Sequence, residues 1–157
     1  GRYDMWLPGN QSINTFTGFL KPDPEITLTI PSATDKAISV GAYDTSTDKV
    51  ATFSGRGFTR ENNQIKPDIV APGVNIRSAA TGGGTTVLSG TSMATPFVTG
   101  SAALMMEWGI VRGNDPYLYG EKIKAYLIRG AKHLPGYEQW PNKQAGWGAL
   151  CLRDSLV

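Results

Sequence analysis

The stretch Ser89-Gly90-Thr91-Ser92-Met93-Ala94-Thr95-Pro96 leads from a glycine-containing turn into a long apolar run. Residues 92–108 carry one charge in 17 positions, which predicts a helix that is buried on most sides. Pro96 is expected in the first turn of this helix, where its missing N–H costs little. The sequence therefore predicts a buried helix with a serine, Ser92, at its N-terminus.

Ser92 has two interpretations. At a helix N-terminus, the backbone N–H groups and the helix dipole favour negative charge. This placement suits a nucleophile, because attack by the hydroxyl creates an oxyanion that the serine's own N–H can bind. The small neighbours Gly90 and Ala94 would let a substrate backbone approach. In the alternative interpretation, Ser92 only caps the helix, which is the commoner role of a serine at this position.

Short apolar runs around this helix predict the rest of the fold. We expect strands at residues 25–30, 37–43, 50–54 and 68–71, and a hairpin that pairs 74–80 with 85–88. A second helix is predicted to begin at Asp115-Pro116 and to end at Gly130, and the tail after residue 148 predicts a last strand that turns into a short helix. After Asp68, the rest of the stretch 68–71 is continuously apolar, as buried parallel strands are, which indicates an α/β fold.

Composition excludes several classes of protein. The chain has 157 residues, enough for one domain or a large piece of one. Its net charge of +2 is too small to predict nucleic acid or an anionic membrane as a partner. Its apolar runs are too short to span a bilayer. The single cysteine, Cys151, excludes an internal disulfide and a Cys-rich metal site. Isolated loop aspartates do not define a calcium site, so neither a metal nor a cofactor is predicted.

Four motifs resemble those of one enzyme family. Residues 90–96 resemble the nucleophile signature of the subtilisin-like serine proteases, peptidase family S8. Residues 38–42 with 50–54, then 66–73, then Gly146-Trp147-Gly148 resemble three further motifs of that family, in the same order. The resemblance extends over roughly residues 28 to 156. It implies the C-terminal portion of a mainly parallel subtilisin-like sheet with helices on both faces.

The resemblance also implies a division of the chain. Residues 25–157 correspond to the C-terminal part of the peptidase domain. Residues 1–24 are expected to be a linker or the remnant of a β-rich insert, because 1–8 resemble the end of the insert in clostridial subtilases related to spore-germination proteases. A secreted or spore-associated bacterial protein would fit this subgroup.

By resemblance, the activity is endopeptidase action through an acyl-enzyme on Ser92. Gly90 and Thr91 would contact substrate beside the oxyanion, and Thr29 and Ile30 match the region that lines the main specificity pocket of the family. The family carries its Asp, His and oxyanion Asn before the serine, and their motifs are absent from this sequence. His133 follows Ser92 and lacks the His-Gly-Thr pattern.

The chain is therefore expected to be inactive alone. Its expected partners are a protein or peptide substrate and the missing N-terminal half of the peptidase domain. Without that half, one sheet edge and one helix face would be uncovered, so we expect the chain to rest on the other half or to form a homodimer. The resemblance leaves calcium open for the longer protein.

Two other functions remain open. The α/β-hydrolases order their triad as Ser, acid, His along the chain, which Ser92, Asp115 and His133 formally satisfy. Against this, the glycine expected two residues after the serine is missing, and 41 residues leave little room for the intervening βα units. The other function is that of a non-catalytic, subtilase-like binding protein. Outside a triad, His133 is expected to be a surface residue after a helix.

Overall fold

The computed structural model describes residues 5–7 and 12–156. Its strands are β1 (Val40–Asp44), β2 (Lys49–Val50), β3 (Ile69–Pro72), β4 (Ile76–Ala79) and β5 (Thr85–Leu88). Its helices are α1 (Thr91–Met106), which continues into a π-helical turn at Glu107–Val111, then α2 (Gly120–Arg129) and α3 (Leu152–Ser155). Within these residues, no helix has the length and apolar character needed to cross a bilayer.

A parallel strand pair forms the centre of the molecule. In the sheet β2-β1-β3, β1 runs parallel to β3 and antiparallel to β2. Because side chains alternate along a strand, β3 contributes to two cores. Ile69 and Ala71 pack in a cluster with residues of α1 and α2, and Val70 packs with Leu134 and residues that follow it. This arrangement confirms the predicted α/β fold and the buried strand at 68–71.

The second sheet is the predicted hairpin. β4 and β5 pair antiparallel, with Ile76 opposite Leu88 and Ala79 opposite Thr85. The connection contains Gly82, Gly83 and Gly84, all at positive φ. The hairpin ends two residues before α1, so its second strand leads directly into the helix that carries Ser92.

Helix α1 differs from its prediction in two respects. It begins at Thr91, so Pro96 lies in the second turn and leaves the carbonyl of Ser92 without its i+4 helical donor. Only four of its residues are buried: Ala94, Val98, Ser101 and Met105. Large side chains such as Phe97 and Leu104 are exposed, because the described elements pack against one side of the helix. The expectation of burial on most sides is wrong for this chain.

The predicted strand at residues 25–30 is absent. The described residues before Val40 form no strand, and Ile26 has a φ of 55°. The N–H of Thr27 donates to the carbonyl of Arg56 at 2.9 Å, and the hydroxyl of Thr27 binds the carbonyl of Pro24. A single backbone hydrogen bond between these two segments does not form a β-ladder. Residues 25–28 are all half-buried and residues 29 and 30 are both exposed, so the alternation in the sequence has no counterpart in burial.

Two further element boundaries differ from the predictions. The strand expected at 50–54 is reduced to Lys49–Val50. Ser54 folds back so that its N–H donates to Ala51 O at 3.0 Å. Helix α2 begins at Gly120, because the carboxylate of Asp115 binds Lys122 and Tyr126 and caps no helix. Gly130 ends α2 as predicted.

The tail joins the centre of the sheet. Leu150 N–H donates to Val70 O at 2.8 Å, Val70 N–H donates to Gly148 O at 2.9 Å, and Ala149 forms a parallel bridge to Val70. The short helix α3 follows. The predicted last strand is therefore a bridge beside β3, and the Gly146–Gly148 turn brings the tail to it.

Candidate active site

Ser92 is the second residue of α1, and its side chain is exposed. Gly90 occupies the N-cap position, and no side chain caps the helix. The carbonyl of Gly90 accepts the first helical bonds, from Met93 N at 3.0 Å and Ala94 N at 3.3 Å. In the described part of the chain, the Ser92 hydroxyl has no hydrogen-bond partner. The interpretation of Ser92 as a helix cap is therefore wrong, and its hydroxyl is available for chemistry.

The start of α1 is anchored to the end of β3. Gly90 N–H donates to the carbonyl of Gly73 at 2.8 Å, and Asn75 N–H donates to the Ser89 hydroxyl at 2.9 Å. Gly73 permits this approach, because a Cβ there would lie 2.5 Å from the Cβ of Ala42 and 2.9 Å from Gly90 O. The turn after β3 therefore fixes Ser92 relative to the central strands.

The N-terminus of α1 is suited to bind an oxyanion. Met93 is the first residue whose N–H donates a hydrogen bond within the helix. The N–H groups of Thr91 and Ser92, which come before it, therefore have no acceptor in the helix. No acidic side chain lies in the first turn of α1. The partial positive charge of the helix end is therefore not neutralised by its own first turn. A negatively charged oxygen beside Ser92 would be stabilised there.

A cavity of about 730 Å³ opens beside this helix end. Thr91 and Ser92 line it on one side, and Thr29 lines it from the loop before β1. Residues 37–40 and 52–56 also line it. Its only charged lining residue in the described chain is Arg56, which lies 3.7 Å from the carboxylate of Glu25. The cavity is otherwise lined by aliphatic, aromatic and hydroxyl groups.

The structure thus brings together three of the five predicted site residues: Thr29, Thr91 and Ser92. Ile30 does not line the cavity, and its side chain is 93% exposed. Residues 30–33 form a turn in which Pro31 and Ser32, and not Ile30, line the cavity, so the expected place of Ile30 in the pocket wall is not found here. Gly90 lies outside the lining and supports the helix through its backbone.

The alternative triad is not assembled. His133 is exposed and stacks on Trp140, with ring centroids 4.3 Å apart and planes at 2°. Asp115 N–H bonds to Gly109 O at 3.0 Å. Gly109 lies 17 residues beyond Ser92 along α1 and its π turn, which is about 25 Å at the helical rise. His133 is thus a surface residue, as expected, and the Ser92–Asp115–His133 order along the chain has no counterpart in space.

One buried lysine, Lys66, and one half-buried lysine, Lys124, escaped the sequence reasoning. Lys66 is 1% exposed, and its ammonium donates to Asp68 Oδ2 at 2.8 Å and to Ala37 O at 3.0 Å. Lys124 Nζ lies 2.8 Å from Asp68 Oδ1. Burial lowers the pKa of Lys66, and the neighbouring Asp68 carboxylate opposes this shift. The sequence signal for this ion pair was the Lys-Pro-Asp spacing just before a buried strand, because it places both charges at the start of β3.

Asp68 also binds the backbone of the segment before β1. Besides the two ammonium groups, its carboxylate accepts the N–H of Ser39 at 2.7 Å. The part of the chain that the structure describes brings no three His, Cys, Asp or Glu side chains together as a metal ion would require.

Comparison with known proteins places these features in one family. The model of the subtilase family, peptidase S8, matches residues 6–148. The serine protease AprX of Bacillus subtilis is 36% identical over 158 residues, an alignment that covers 86% of this chain and 33% of AprX. The human membrane-bound transcription factor site-1 protease is 34% identical and matches 80% of this chain, but only 12% of its own length is covered. The chain thus spans a third or less of these relatives.

Solved structures agree with the sequence comparison. The CspB protease of Clostridium perfringens superimposes with a TM-score of 0.85 at 49% identity, covering 89% of this chain and 30% of CspB. The patellamide maturation protease PatA superimposes with a TM-score of 0.65 at 33% identity. The clostridial structure agrees with the subgroup expected from the N-terminal residues. The chain therefore belongs to the subtilase family, peptidase S8.

Proposed function

We propose that this chain carries the nucleophile of a subtilisin-like serine endopeptidase, Ser92, together with one side of its substrate cavity. The observation that supports this most is the Ser92 hydroxyl itself. It is exposed at the N-terminus of α1, lacks a partner in the described chain, and borders the 730 Å³ cavity. Thr29 and Thr91 line the same cavity and would contact the substrate, and Gly90 would leave room for its backbone.

In this proposal, the Ser92 Oγ attacks the carbonyl carbon of the peptide bond. The electron pair moves to the carbonyl oxygen, which the N–H of Ser92 and the α1 dipole stabilise. Collapse of this intermediate expels the amine and leaves an ester on Ser92, which water then hydrolyses. A serine hydroxyl needs a base for the first step and a proton donor for the amine. Those roles fall to a histidine and an aspartate that lie outside this chain.

The remainder of the peptidase domain is the partner that we propose for the exposed side of α1. Phe97, Leu104 and Ile110 are each between 42% and 54% exposed, and the relatives extend well beyond the matched region. A segment that covers this side could also bring the missing base to Ser92. A second copy of the chain is the competing occupant, and sedimentation of the chain alone distinguishes a homodimer from a monomer.

The full polypeptide that carries this chain is expected to hydrolyse internal bonds of unstructured protein substrates, such as casein. Mass spectrometry of the products would identify cleavage within the chain of the substrate. A folded full polypeptide that binds peptides without cleaving them would contradict the protease proposal and favour the non-catalytic binding protein.

A further inference from the structure

The segment at residues 35–39, which forms part of the cavity wall, lacks regular secondary structure. Its last three residues, Ala37, Ile38 and Ser39, line the same cavity as Ser92. In the described chain, the carbonyls of Asp35 and Ala37 receive no bond from a backbone N–H. The carbonyl of Ser39 accepts the N–H groups of Asp68 at 2.8 Å and Ile69 at 3.3 Å, so the backbone joins the segment to β3 at that residue. Residues 35–37 depend on side chains for their position.

Charged groups supply that support. Lys124 Nζ donates to Asp35 O at 2.9 Å and to Ala37 O at 3.3 Å. Lys66 Nζ donates to the same Ala37 carbonyl at 3.0 Å. The carboxylate of Asp68 accepts the N–H of Ser39 and bonds both ammonium groups. Asp35, Ala37 and Ser39 are thus each bonded to one largely buried ionic cluster, formed by Lys66, Asp68 and Lys124.

This cluster is costly to build, which argues for a role beyond general stability. Burying an ion pair costs desolvation energy that its attraction often only offsets, and apolar replacements can be equally stable. Yet the side chains of Lys66 and Asp68 are only 1% and 4% exposed. A network of this kind does, however, fix geometry, because each charged atom has several directional partners.

We propose that Lys66 and Lys124 are positioning residues, which act through Asp68 and the carbonyls of Asp35 and Ala37 to hold the substrate-cavity wall in the shape that binds peptide. The inference rests on the proposed function. In this inference, the cluster affects the binding of substrate. The chemical step takes place at Ser92, which lies on a different element, α1. Loss of one ammonium should therefore weaken substrate binding and spare the chemical step.

Lys124→Met and Lys122→Met form a matched pair on α2. Each variant removes the ammonium group that pairs with a largely buried aspartate: Lys124 pairs with Asp68, and Lys122 pairs with Asp115. Only Lys124 contacts the cavity wall. In the full polypeptide, Lys124→Met is expected to raise KM roughly fivefold or more, with kcat within about twofold, which is close to 1 kcal/mol of binding. Lys122→Met should leave both constants unchanged, and Lys124→Arg should restore most of the KM.

Amide hydrogen exchange of the same variants gives a readout that does not need activity. Lys124→Met should speed exchange at the Ser39 amide, and Lys122→Met should not. If the wild type cleaves nothing, the protease proposal fails and the exchange result still decides whether the cluster holds the wall. Equal KM values and equal exchange in the two methionine variants would overturn the positioning role, as would a lower kcat at unchanged KM.

Discussion

Ser92→Ala is expected to abolish peptide hydrolysis by the full polypeptide while leaving its fold intact. In subtilisin, a member of the same family, removal of the serine lowers kcat by about 10⁶. A loss of this order is expected here, because the proposed mechanism forms the acyl-enzyme on this hydroxyl. Its side chain is exposed and unpartnered in the described chain, so the unfolding free energy should change by no more than about 0.5 kcal/mol. Hydrolysis rates and urea unfolding of both proteins check the two statements.

Ser78→Ala is the matched control for this variant. Ser78 is an exposed serine of β4 and does not line the cavity, so its replacement should preserve the rate of hydrolysis. A Ser92→Ala protein that kept more than about a thousandth of the wild-type kcat would contradict the assignment, because oxyanion binding alone leaves far less of the rate.

Gly146→Ala should destabilise the fold severely. Gly146 has a φ of 59°, and an added Cβ would overlap the carbonyl oxygen of Pro67 and lie 2.6 Å from that of Asp68. Both obstacles are backbone atoms at the start of β3, so the central strand would have to move. We expect a destabilisation above about 4 kcal/mol, within the exceptional range for single substitutions. Circular dichroism and urea unfolding measure it.

Gly136→Ala separates the two causes of the expected destabilisation, which are the positive φ and the overlap of the added Cβ with backbone atoms. Gly136 also has a positive φ, 83°, but no atom lies within 4 Å of an added Cβ. Its replacement should therefore cost only the backbone strain, about 1–2 kcal/mol. Similar losses in the two variants would mean that the approach of the Gly146 turn to β3 is not as close as the structure has it.

The sequence predicted best those elements that are bounded by glycine and proline. The apolar strand at 68–71 stops at Pro72-Gly73, and the hairpin strands flank a glycine-rich turn. In both cases, local chemistry and tertiary position agree. The same holds for Ser92, because the helix N-terminus is encoded in the few residues around it, although the cap proved to be Gly90.

Tertiary contacts decided the features that the sequence did not predict. Asp115 was expected to cap α2, but Lys122 and Tyr126 take its carboxylate and the helix starts five residues later. Ile30 was expected in the pocket because of the resemblance to the family, yet it is exposed and does not line the cavity. The burial of Lys66 depends on the Asp68 carboxylate and the Ala37 carbonyl, and no local pattern specifies that combination.

The central claim is that Ser92 is a nucleophile whose base lies outside this chain. His133 is its only histidine, and it stacks on Trp140 away from the cavity. Treatment with a fluorophosphonate, followed by intact mass and peptide mapping, tests the claim directly. The full polypeptide should be labelled at Ser92, and its Ser92→Ala variant and the folded chain alone should not be labelled. Labelling of the chain alone, or labelling of the full polypeptide at any other residue, would contradict it.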